Sequence, residues 1–218
     1  MLKKTVYGLP EFYRAEIRKA DVISNPGCYP TVSTLALLPL VSEGLIDLDS
    51  IIVDAKSGVS GAGKKLATST HFSEANENFN AYKVNEHQHM PEIGQNLNYA
   101  AHAEVSFAFV PHLLPVNRGI LSTIYVKKRS HVKPAQLAKA LEQYFSKEPF
   151  VRFLGENKFP ALNDVVNTNF CDIGVKVDAK TGRVILISAI DNLLKGASGQ
   201  AVQNMNIRLG FSEETALL

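Results

Sequence analysis

A strand, a tight turn and a helix follow one another between residues 21 and 44, and this corner constrains the fold more than any other stretch. Asn-Pro-Gly-Cys at residues 25–28 predicts a type II turn, in which Gly27 would have positive φ. Pro30 suits the first turn of a helix, because its missing N–H would be unpaired there in any case. The apolar residues 31–43 continue that helix, so the chain must change sharply from extended to helical at this point.

Cys28 lies at this corner, at the expected N-terminus of the helix. There the helix dipole and the free N–H groups lower the pKa of a thiol from its reference value of about 8.5, which favours a nucleophilic thiolate. The turn chemistry alone leaves open the alternative of a small buried apolar residue. The only other cysteine is Cys171. Two cysteines make no disulfide framework and favour a reducing, cytoplasmic compartment.

The composition limits the class of partner. The chain has 218 residues, 45% hydrophobic and 20% charged, which is typical of a globular protein. Its net charge of +2 offers no electrostatic reason to expect binding to nucleic acid or to a membrane surface. Residues 1–4 carry positive charge without a following apolar run, so no signal peptide is expected. The longest apolar run, residues 35–41, is too short to span a bilayer.

The pattern of elements predicts an α+β fold. Strands are predicted over residues 50–55, 105–109, 120–126, 150–154, 171–177 and 184–188, and helices over residues 11–20, 91–100, 134–147 and 192–209. Polar loops are expected over residues 68–80 and 111–119. Neighbouring strands can pair antiparallel with helices between them, which favours a mixed, mainly antiparallel sheet with helices on one face.

A glycine-rich loop at residues 57–64 follows the first long strand and matches G-x-x-x-x-G-K. A phosphate-binding P-loop would continue with Ser or Thr, but this chain has Lys65. The N–H groups of the loop could cradle an anion, or its glycines could let a ligand approach the main chain closely. A purely structural turn is equally compatible with this composition.

His87 and His89 are the next candidates. Two His at i and i+2 could bind zinc, but the sequence supplies too few further ligands, so no metal is expected. One of them could instead move protons for Cys28, or both could be structural. Arg118 could anchor a carboxylate or a phosphate, with an ordinary surface arginine as the alternative.

Residues 25–31 resemble the active-site signature of the N-acetyl-γ-glutamyl-phosphate reductase family. Other segments resemble that family in the same order, over essentially the whole chain: residues 6–11, 57–64, 87–93, 118–120 and 191–201. The resemblance implies the C-terminal catalytic domain of a glyceraldehyde-3-phosphate dehydrogenase-like enzyme. The chemistry is shared with relatives such as aspartate-semialdehyde dehydrogenase.

The resemblance also implies a reaction. NADPH would reduce the acyl phosphate N-acetyl-γ-glutamyl phosphate to N-acetylglutamate semialdehyde in arginine biosynthesis, through a thioester on Cys28. His87 would be the acid/base, with His89 and Glu92 in support. The further implied contacts are Arg118 and Asn25 with the substrate, and Ser57, Gly58, Gly61 and Asn192 with NADP(H).

Family members begin with a Rossmann domain, whereas no G-x-G-x-x-G fingerprint opens a βαβ unit in this sequence. The expected organisation is a catalytic and dimerisation domain over residues 1–188 and a C-terminal helix over residues 189–218. In the family this helix packs on the cofactor domain, and that N-terminal NADP-binding domain is expected to be absent here. A homo-oligomer, dimer or tetramer, is expected. Two alternatives stay open: a dimerising remnant without activity, and a reductase of a carrier-linked aminoadipyl phosphate.

Overall fold

The computed structural model describes residues 5–218, so the segment in which no signal peptide is expected, residues 1–4, lies outside it. A seven-stranded sheet forms the centre of the fold. Its strands are β3 (Ile51–Gly58), β4 (Asn80–Ala81), β5 (Phe107–Leu114), β6 (Ile120–Lys127), β7 (Val151–Glu156), β8 (Cys171–Val177) and β9 (Arg183–Ile190). Their order in the sheet is β4-β5-β3-β6-β9-β8-β7. The pairs β3–β5 and β7–β8 are parallel and the other four are antiparallel. The predicted α+β class with a mixed, mainly antiparallel sheet is confirmed.

Six α-helices accompany the strands among the described residues. They are α1 (Pro10–Ile17), α2 (Cys28–Ser42), α3 (Phe72–Ala75), α4 (Met90–Ala101), α5 (Pro134–Phe145) and α6 (Gly199–Leu209). A π-helical turn, Leu194–Ser198, leads directly into α6. No helix among residues 5–218 combines the length and the apolar character needed to cross a membrane.

Helix α2 is the centre of the hydrophobic core. Its residues from Tyr29 to Val41 are all buried, as expected for a helix that is apolar on every side. It contacts β6 and β9 of the sheet and the helices α4 and α5. Gly44, with φ +63°, follows the end of the helix as predicted. Because α2 is enclosed on all sides, the position of its first residue, Cys28, is fixed by the whole core.

The two faces of the sheet differ in their covering. Along β3, Ile51, Val53 and Ala55 are buried, whereas Ile52 is 40% exposed. This alternation follows from the period of two in a strand. The helices therefore cover one face, as predicted, and the other face remains partly open.

Several loops meet at one edge of the sheet. The register pairs Gly58 with Leu114, and Ile120 with Ile190. The loops after β3, β5 and β9 thus start at the same edge, and these are the loops that carry the glycine-rich segment, Arg118 and Asn192.

A small unit precedes the main sheet. The strands β1 (Thr5–Tyr7) and β2 (Val22–Ser24) pair in parallel and are connected by α1. Helix α6 packs against α1. The described part of the chain therefore already contains a surface for the C-terminal helix, although α6 leaves Met205 and Leu209 exposed.

Three local predictions need correction. Gly27 has φ −72° and ψ 160°, so there is no type II turn with positive φ. Strand β5 extends through Pro111 to Leu114 instead of becoming a loop at residue 111. Helix α6 begins at Gly199 rather than Asn192, because residues 192–193 form a turn and residues 194–198 the π-helical turn.

Smaller differences concern two further segments. The polar residues 68–80 contain a 3₁₀ turn (Thr68–Thr70) and the one-turn helix α3 rather than only loop. Strand β9 extends to Ile190, beyond the expected boundary at residue 188.

Candidate active site

Cys28 is the first residue of α2 and is partly exposed. A Cβ atom placed on Gly196 would lie 2.7 Å from the Cys28 Cβ and 3.2 Å from the Ile190 Cδ1. Since real Cβ atoms essentially never approach so closely, only glycine fits at this position of the π-helical turn. The thiol is therefore bounded by the main chain that follows β9.

The thiol is held in its protonated form. Burial raises the pKa of Cys28 to about 11, and the charge of Glu92 adds to the rise. The backbone N–H groups of Cys28 and Tyr29 lower the pKa, as expected at a helix N-terminus, but burial outweighs them. The prediction of an acidified thiol is therefore wrong for this chain, because it considered the helix dipole without the desolvation.

His87 and His89 lie side by side, with ring centroids 4.8 Å apart. A Cβ atom on Gly27 would lie 2.5 Å from His89 Nε2, so this ring rests directly on the residue before Cys28. His89 Nδ1 is buried and has no hydrogen-bond partner among the described residues. The close contact with His89, rather than positive φ, explains the need for glycine at position 27.

His87 is more enclosed than His89. It is 7% exposed and lies 5.3–5.6 Å, centroid to centroid, from the rings of Tyr29, Tyr82 and Phe109. Its Nδ1 accepts the backbone N–H of His89 at 3.1 Å. Burial, then the charges of His89 and Lys83, lower the pKa of His87 to about 4. His87 is therefore a neutral imidazole whose accepting nitrogen is already occupied.

Glu92 connects the histidines to the turn before Cys28. It lies in the first turn of α4, and its Oε1 accepts the backbone N–H of Gly27 at 2.9 Å. The same oxygen accepts the hydroxyl of Tyr7 at 2.7 Å. Burial lowers the pKa of His89, and the charge of Glu92 opposes this shift. His89 and Glu92 thus both contact Gly27, the residue before Cys28.

Asn25 connects the Cys28 turn to the C-terminal region. Its Nδ2 donates to the carbonyl of Ala197 at 2.9 Å, and its Oδ1 accepts from Asn204 Nδ2 at 3.1 Å. Both ends of this amide are therefore bonded within the chain, although Asn25 was expected to contact the substrate.

The predicted cofactor residues lie together. A Cβ atom on Gly61 would lie 2.7 Å from Ser57 Oγ and 3.5 Å from Asn192 Nδ2. Asn192 Oδ1 accepts the N–H of Gly119 at 2.6 Å, and its Nδ2 donates to Ser60 Oγ at 2.9 Å. The amide of Asn192 thus holds the glycine-rich loop against the loop that follows β5.

The glycine-rich loop differs from a P-loop. It forms a 3₁₀ turn, Val59–Ala62, and no α-helix begins before α3 at residue 72. A Cβ atom on Gly58 would lie 2.6 Å from the carbonyl oxygen of Asn117, so this glycine accommodates a neighbouring main chain. The loop therefore lacks the helix N-terminus that holds the phosphates in a P-loop.

Arg118 lies beside a buried carboxylate. Its Nη1 is 3.4 Å from Asp191 Oδ2 and 3.1 Å from Asn167 Oδ1, and its side chain is 35% exposed. Asp191 is completely buried and accepts the N–H groups of Leu193 and Leu194. Asp191 therefore orients both Arg118 and the π-helical turn that bounds Cys28.

A buried ion pair beside the site has no counterpart in the sequence predictions. Lys195 Nζ donates to Glu11 Oε1 at 2.6 Å and to Gln203 Oε1 at 2.8 Å. Both charged side chains are 0% exposed. The only signal was that both residues lie in segments already singled out, residues 6–11 and 191–201. No group of three or more His, Cys, Asp or Glu side chains within residues 5–218 could hold a metal ion.

Sequence comparison supplies the family. The model of the family described as "Semialdehyde dehydrogenase, dimerisation domain" matches residues 28–192. A protein of Pelotomaculum thermopropionicum named N-acetyl-gamma-glutamyl-phosphate reductase is 55% identical over the whole chain. One of Geobacillus kaustophilus with the same name is 52% identical over 99% of the chain. The chain spans 62% and 63% of the length of these two relatives.

Solved structures share the fold. Aspartate semialdehyde dehydrogenase II from Vibrio cholerae superimposes with a TM-score of 0.73 at 20% identity, over 95% of this chain and 69% of that one. Aspartate semialdehyde dehydrogenase from Francisella tularensis gives a TM-score of 0.71 at 14% identity, over 93% of this chain and 71% of that one. Both similarities cover nearly all of this chain.

Proposed function

The chain belongs to the family of the semialdehyde dehydrogenase dimerisation domain, and we propose that it is the catalytic part of an N-acetyl-γ-glutamyl-phosphate reductase. The proposed reaction is the NADPH-dependent reductive dephosphorylation of N-acetyl-γ-glutamyl phosphate in the arginine biosynthesis of the cytoplasm. The observation that supports it most is the setting of Cys28. This thiol lies at a helix N-terminus. Gly196 contacts Cys28 itself, and His89 contacts Gly27, the residue before it.

The first chemical step uses only groups of this chain. The Cys28 sulfur forms a bond to the acyl carbon, the bond from that carbon to the phosphate oxygen breaks, and inorganic phosphate leaves. The thiol proton passes to an imidazole, because the raised pKa of Cys28 leaves little thiolate at neutral pH. The product of this step is a thioester on Cys28.

His89 is the imidazole best placed to take that proton. Its Nε2 faces Gly27, and its Nδ1 has no partner among residues 5–218. The resemblance gave this role to His87, but the Nδ1 of His87 is occupied by the N–H of His89 and its ring is enclosed by aromatic side chains. In this proposal His87 orients His89, and Glu92 favours the protonated form of His89.

NADP(H), when bound, supplies the hydride that reduces the thioester. Within this chain only Ser57, Gly58, Gly61 and Asn192 are proposed to touch it, as an edge against its nicotinamide end. Most of the cofactor is proposed to contact residues other than these four. Arg118, partly exposed at the same edge of the sheet, is proposed to face the phosphate or a carboxylate of the substrate.

Single-turnover acylation of the chain tests this proposal without the cofactor. Incubation with N-acetyl-γ-glutamyl phosphate is expected to release one equivalent of phosphate and to add the acyl mass to Cys28, as read by mass spectrometry. Cys28→Ser should abolish both signals, while Cys171→Ser serves as the matched control. An acylated chain carrying the Cys28→Ser substitution would contradict the proposal. Other acyl phosphates, including an aminoadipyl phosphate, compared in the same assay define the substrate.

We propose a homodimer through the open face of the sheet. This face presents Ile52 of β3 and, in register with it, Tyr125 of β6. It also carries charges of both signs, with Asp54 2.6 Å from Lys56 and 3.1 Å from the Nδ1 of His112. A mixed apolar and charged surface of this kind can match its own copy across a two-fold axis.

Sedimentation of two variants tests the dimer. Ile187→Arg places a cation in the middle of the open face, next to Thr123 of β6, and is expected to give monomers. Met205→Arg changes an exposed residue of α6 and should leave the dimer intact. A dimer that survives Ile187→Arg would contradict this choice of face.

A further inference from the structure

The segment from Tyr7 to Glu11 was singled out by the sequence but has no role in the proposed reaction. It runs from the end of β1 into the first turn of α1. Leu9 and Glu11 within it are buried.

Tyr7 shares a carboxylate oxygen with the turn before Cys28. Its hydroxyl donates to Glu92 Oε1 at 2.7 Å, and the backbone N–H of Gly27 donates to the same atom at 2.9 Å. Glu92 is therefore held by a hydroxyl on one side and by the Cys28 turn on the other. Burial and the charge of Glu92 strongly raise the pKa of Tyr7, so this hydroxyl remains a donor.

The rest of the segment is pinned, which fixes the position of the Tyr7 hydroxyl. The carbonyl of Gly8 accepts Gln200 Nε2 at 3.0 Å and Asn204 Nδ2 at 2.8 Å. At the other end, Glu11 is held by the buried Lys195. These bonds on both sides restrict the segment, and with it the position of the Tyr7 hydroxyl.

We infer that Tyr7 is a positioning residue for Cys28, acting through Glu92 on the turn at Gly27. The hydroxyl fixes the carboxylate that holds this turn, and it compensates part of the negative charge that faces the thiol. This inference rests on the proposed role of Cys28 as the nucleophile. It adds a residue whose only link to the reaction is a hydrogen bond to Glu92.

The chain contains a matched control. The hydroxyl of Tyr13 also bonds to α4, donating to Asn96 Oδ1 at 3.0 Å, four residues beyond Glu92. The two tyrosine rings are 5.9 Å apart, so they occupy the same aromatic cluster. Asn96 carries no charge, and it makes no bond to Gly27. Asn96 Nδ2 donates to the main-chain carbonyl of Glu92 at 2.8 Å, not to its carboxylate. Tyr7→Phe and Tyr13→Phe thus each remove one partly buried hydroxyl, but only the first removes a hydrogen bond to the Glu92 carboxylate.

The experiment measures the rate of Cys28 alkylation by iodoacetamide between pH 7 and pH 9, with Cys171 as the internal reference. In Tyr7→Phe the charge of Glu92 is less compensated, so the thiol pKa rises. A rise of half a unit to one unit slows alkylation about three- to tenfold at a fixed pH. Tyr13→Phe is expected to alkylate at the wild-type rate. Circular dichroism and thermal unfolding identify any variant that has lost its fold.

A double variant tests the route of the effect. If Tyr7 acts through Glu92, Tyr7→Phe has no further effect on alkylation in a chain that already carries Glu92→Gln. Equal rates for Tyr7→Phe and Tyr13→Phe, or an undiminished Tyr7→Phe effect in the Glu92→Gln background, would overturn the inference. A wild-type chain in which Cys28 reacts no faster than Cys171 would instead overturn the proposed nucleophile.

Discussion

The two cysteines of this chain lie close to the same stretch, Ile190 to Gly196, but differ in their exposure to solvent. Cys171 pairs with Ile190 across β8 and β9, and the Ile190 side chain reaches the Gly196 position that touches Cys28. Cys171 is completely buried, its sulfur 3.6 Å from Ser188 Oγ, and burial raises its pKa to about 12. Cys28 has a similar pKa but is partly exposed.

The comparison indicates that the reactivity proposed for Cys28 does not depend on a thiol pKa far below that of Cys171. The two thiols differ in their surroundings. Cys28 is partly exposed, and the imidazole of His89 contacts Gly27, the residue before it. Cys171 is completely buried. A proton acceptor beside a thiol can replace a low thiol pKa, because the proton can leave during the attack rather than before it.

The largest effect is expected from exchanging the nucleophile. Cys28→Ser should reduce acyl transfer by at least about 10³-fold, because a serine hydroxyl is far less nucleophilic in this setting. Cys171→Ser should leave the rate of acyl transfer within about twofold of wild type, since it changes a residue remote from the substrate. Phosphate release in a single turnover measures both rates. Equal reductions of the acyl-transfer rate in the two variants would contradict the proposed difference between the two thiols.

The next effect concerns Lys195, whose charge acts on Cys171 and whose neighbour Gly196 contacts Cys28. Lys195→Met leaves the buried Glu11 without its cation and should lower the free energy of unfolding by about 3–5 kcal/mol. The double variant Glu11→Leu/Lys195→Met removes both charges and should recover most of that loss. Urea unfolding measures both values. A double variant as unstable as the single one would show that the lysine stem, rather than the charge, is what matters.

Gly196→Ala should affect only one of the two thiols. The new methyl group would collide with the Cys28 Cβ, which should cost about 1–3 kcal/mol and reduce acylation of Cys28. Gly94→Ala is the control, because its methyl group would meet only Phe107, at an ordinary 3.5 Å, within helix α4. Unfolding and acylation rates of the two variants provide the measurement. An acylation rate equal to that of the wild type in Gly196→Ala would show that the contact at Gly196 does not position the thiol.

The smallest expected effect is a shift in the pKa of the Cys28 thiol, with no change at Cys171. The charge of Glu92 raises the pKa of this thiol, so Glu92→Gln should lower it and increase alkylation at pH 8 by less than about tenfold. The sign follows from the thiolate fraction, which at any pH below the pKa grows as that pKa falls. Cys171 should not change. Slower alkylation of Cys28 in Glu92→Gln would mean that the carboxylate acts mainly by holding the turn.

The sequence was sufficient where a single element decides the outcome. The apolar residues after Pro30 predicted α2, and the β-branched residues at 51–53 predicted β3, because burial follows local periodicity there. Pro111 misled the prediction for β5. Its carbonyl bonds to Tyr82 on the β4 side, so its missing N–H faces that same side, and no ladder bond to β3 is lost.

Contacts between distant segments could not be predicted in this way. The Lys195–Glu11 pair joins residues 184 positions apart, and nothing in either local sequence indicates its partner. Gly27 was correctly recognised as necessary, but for the wrong reason, since the close contact with His89 exists only after α4 has packed against α2. Similarly, the pKa of Cys28 depends on its burial, which the turn chemistry does not specify.

The complete enclosure of α2 has a consequence for laboratory redesign. Any substitution along this helix must be accommodated by the close-packed core. A shift of the helix would also move Cys28, because Cys28 is its first residue. Libraries that seek new acyl specificity should therefore leave α2 intact. The exposed residues 64–69 offer the better place for variation, because side chains there can change length and charge without moving Cys28.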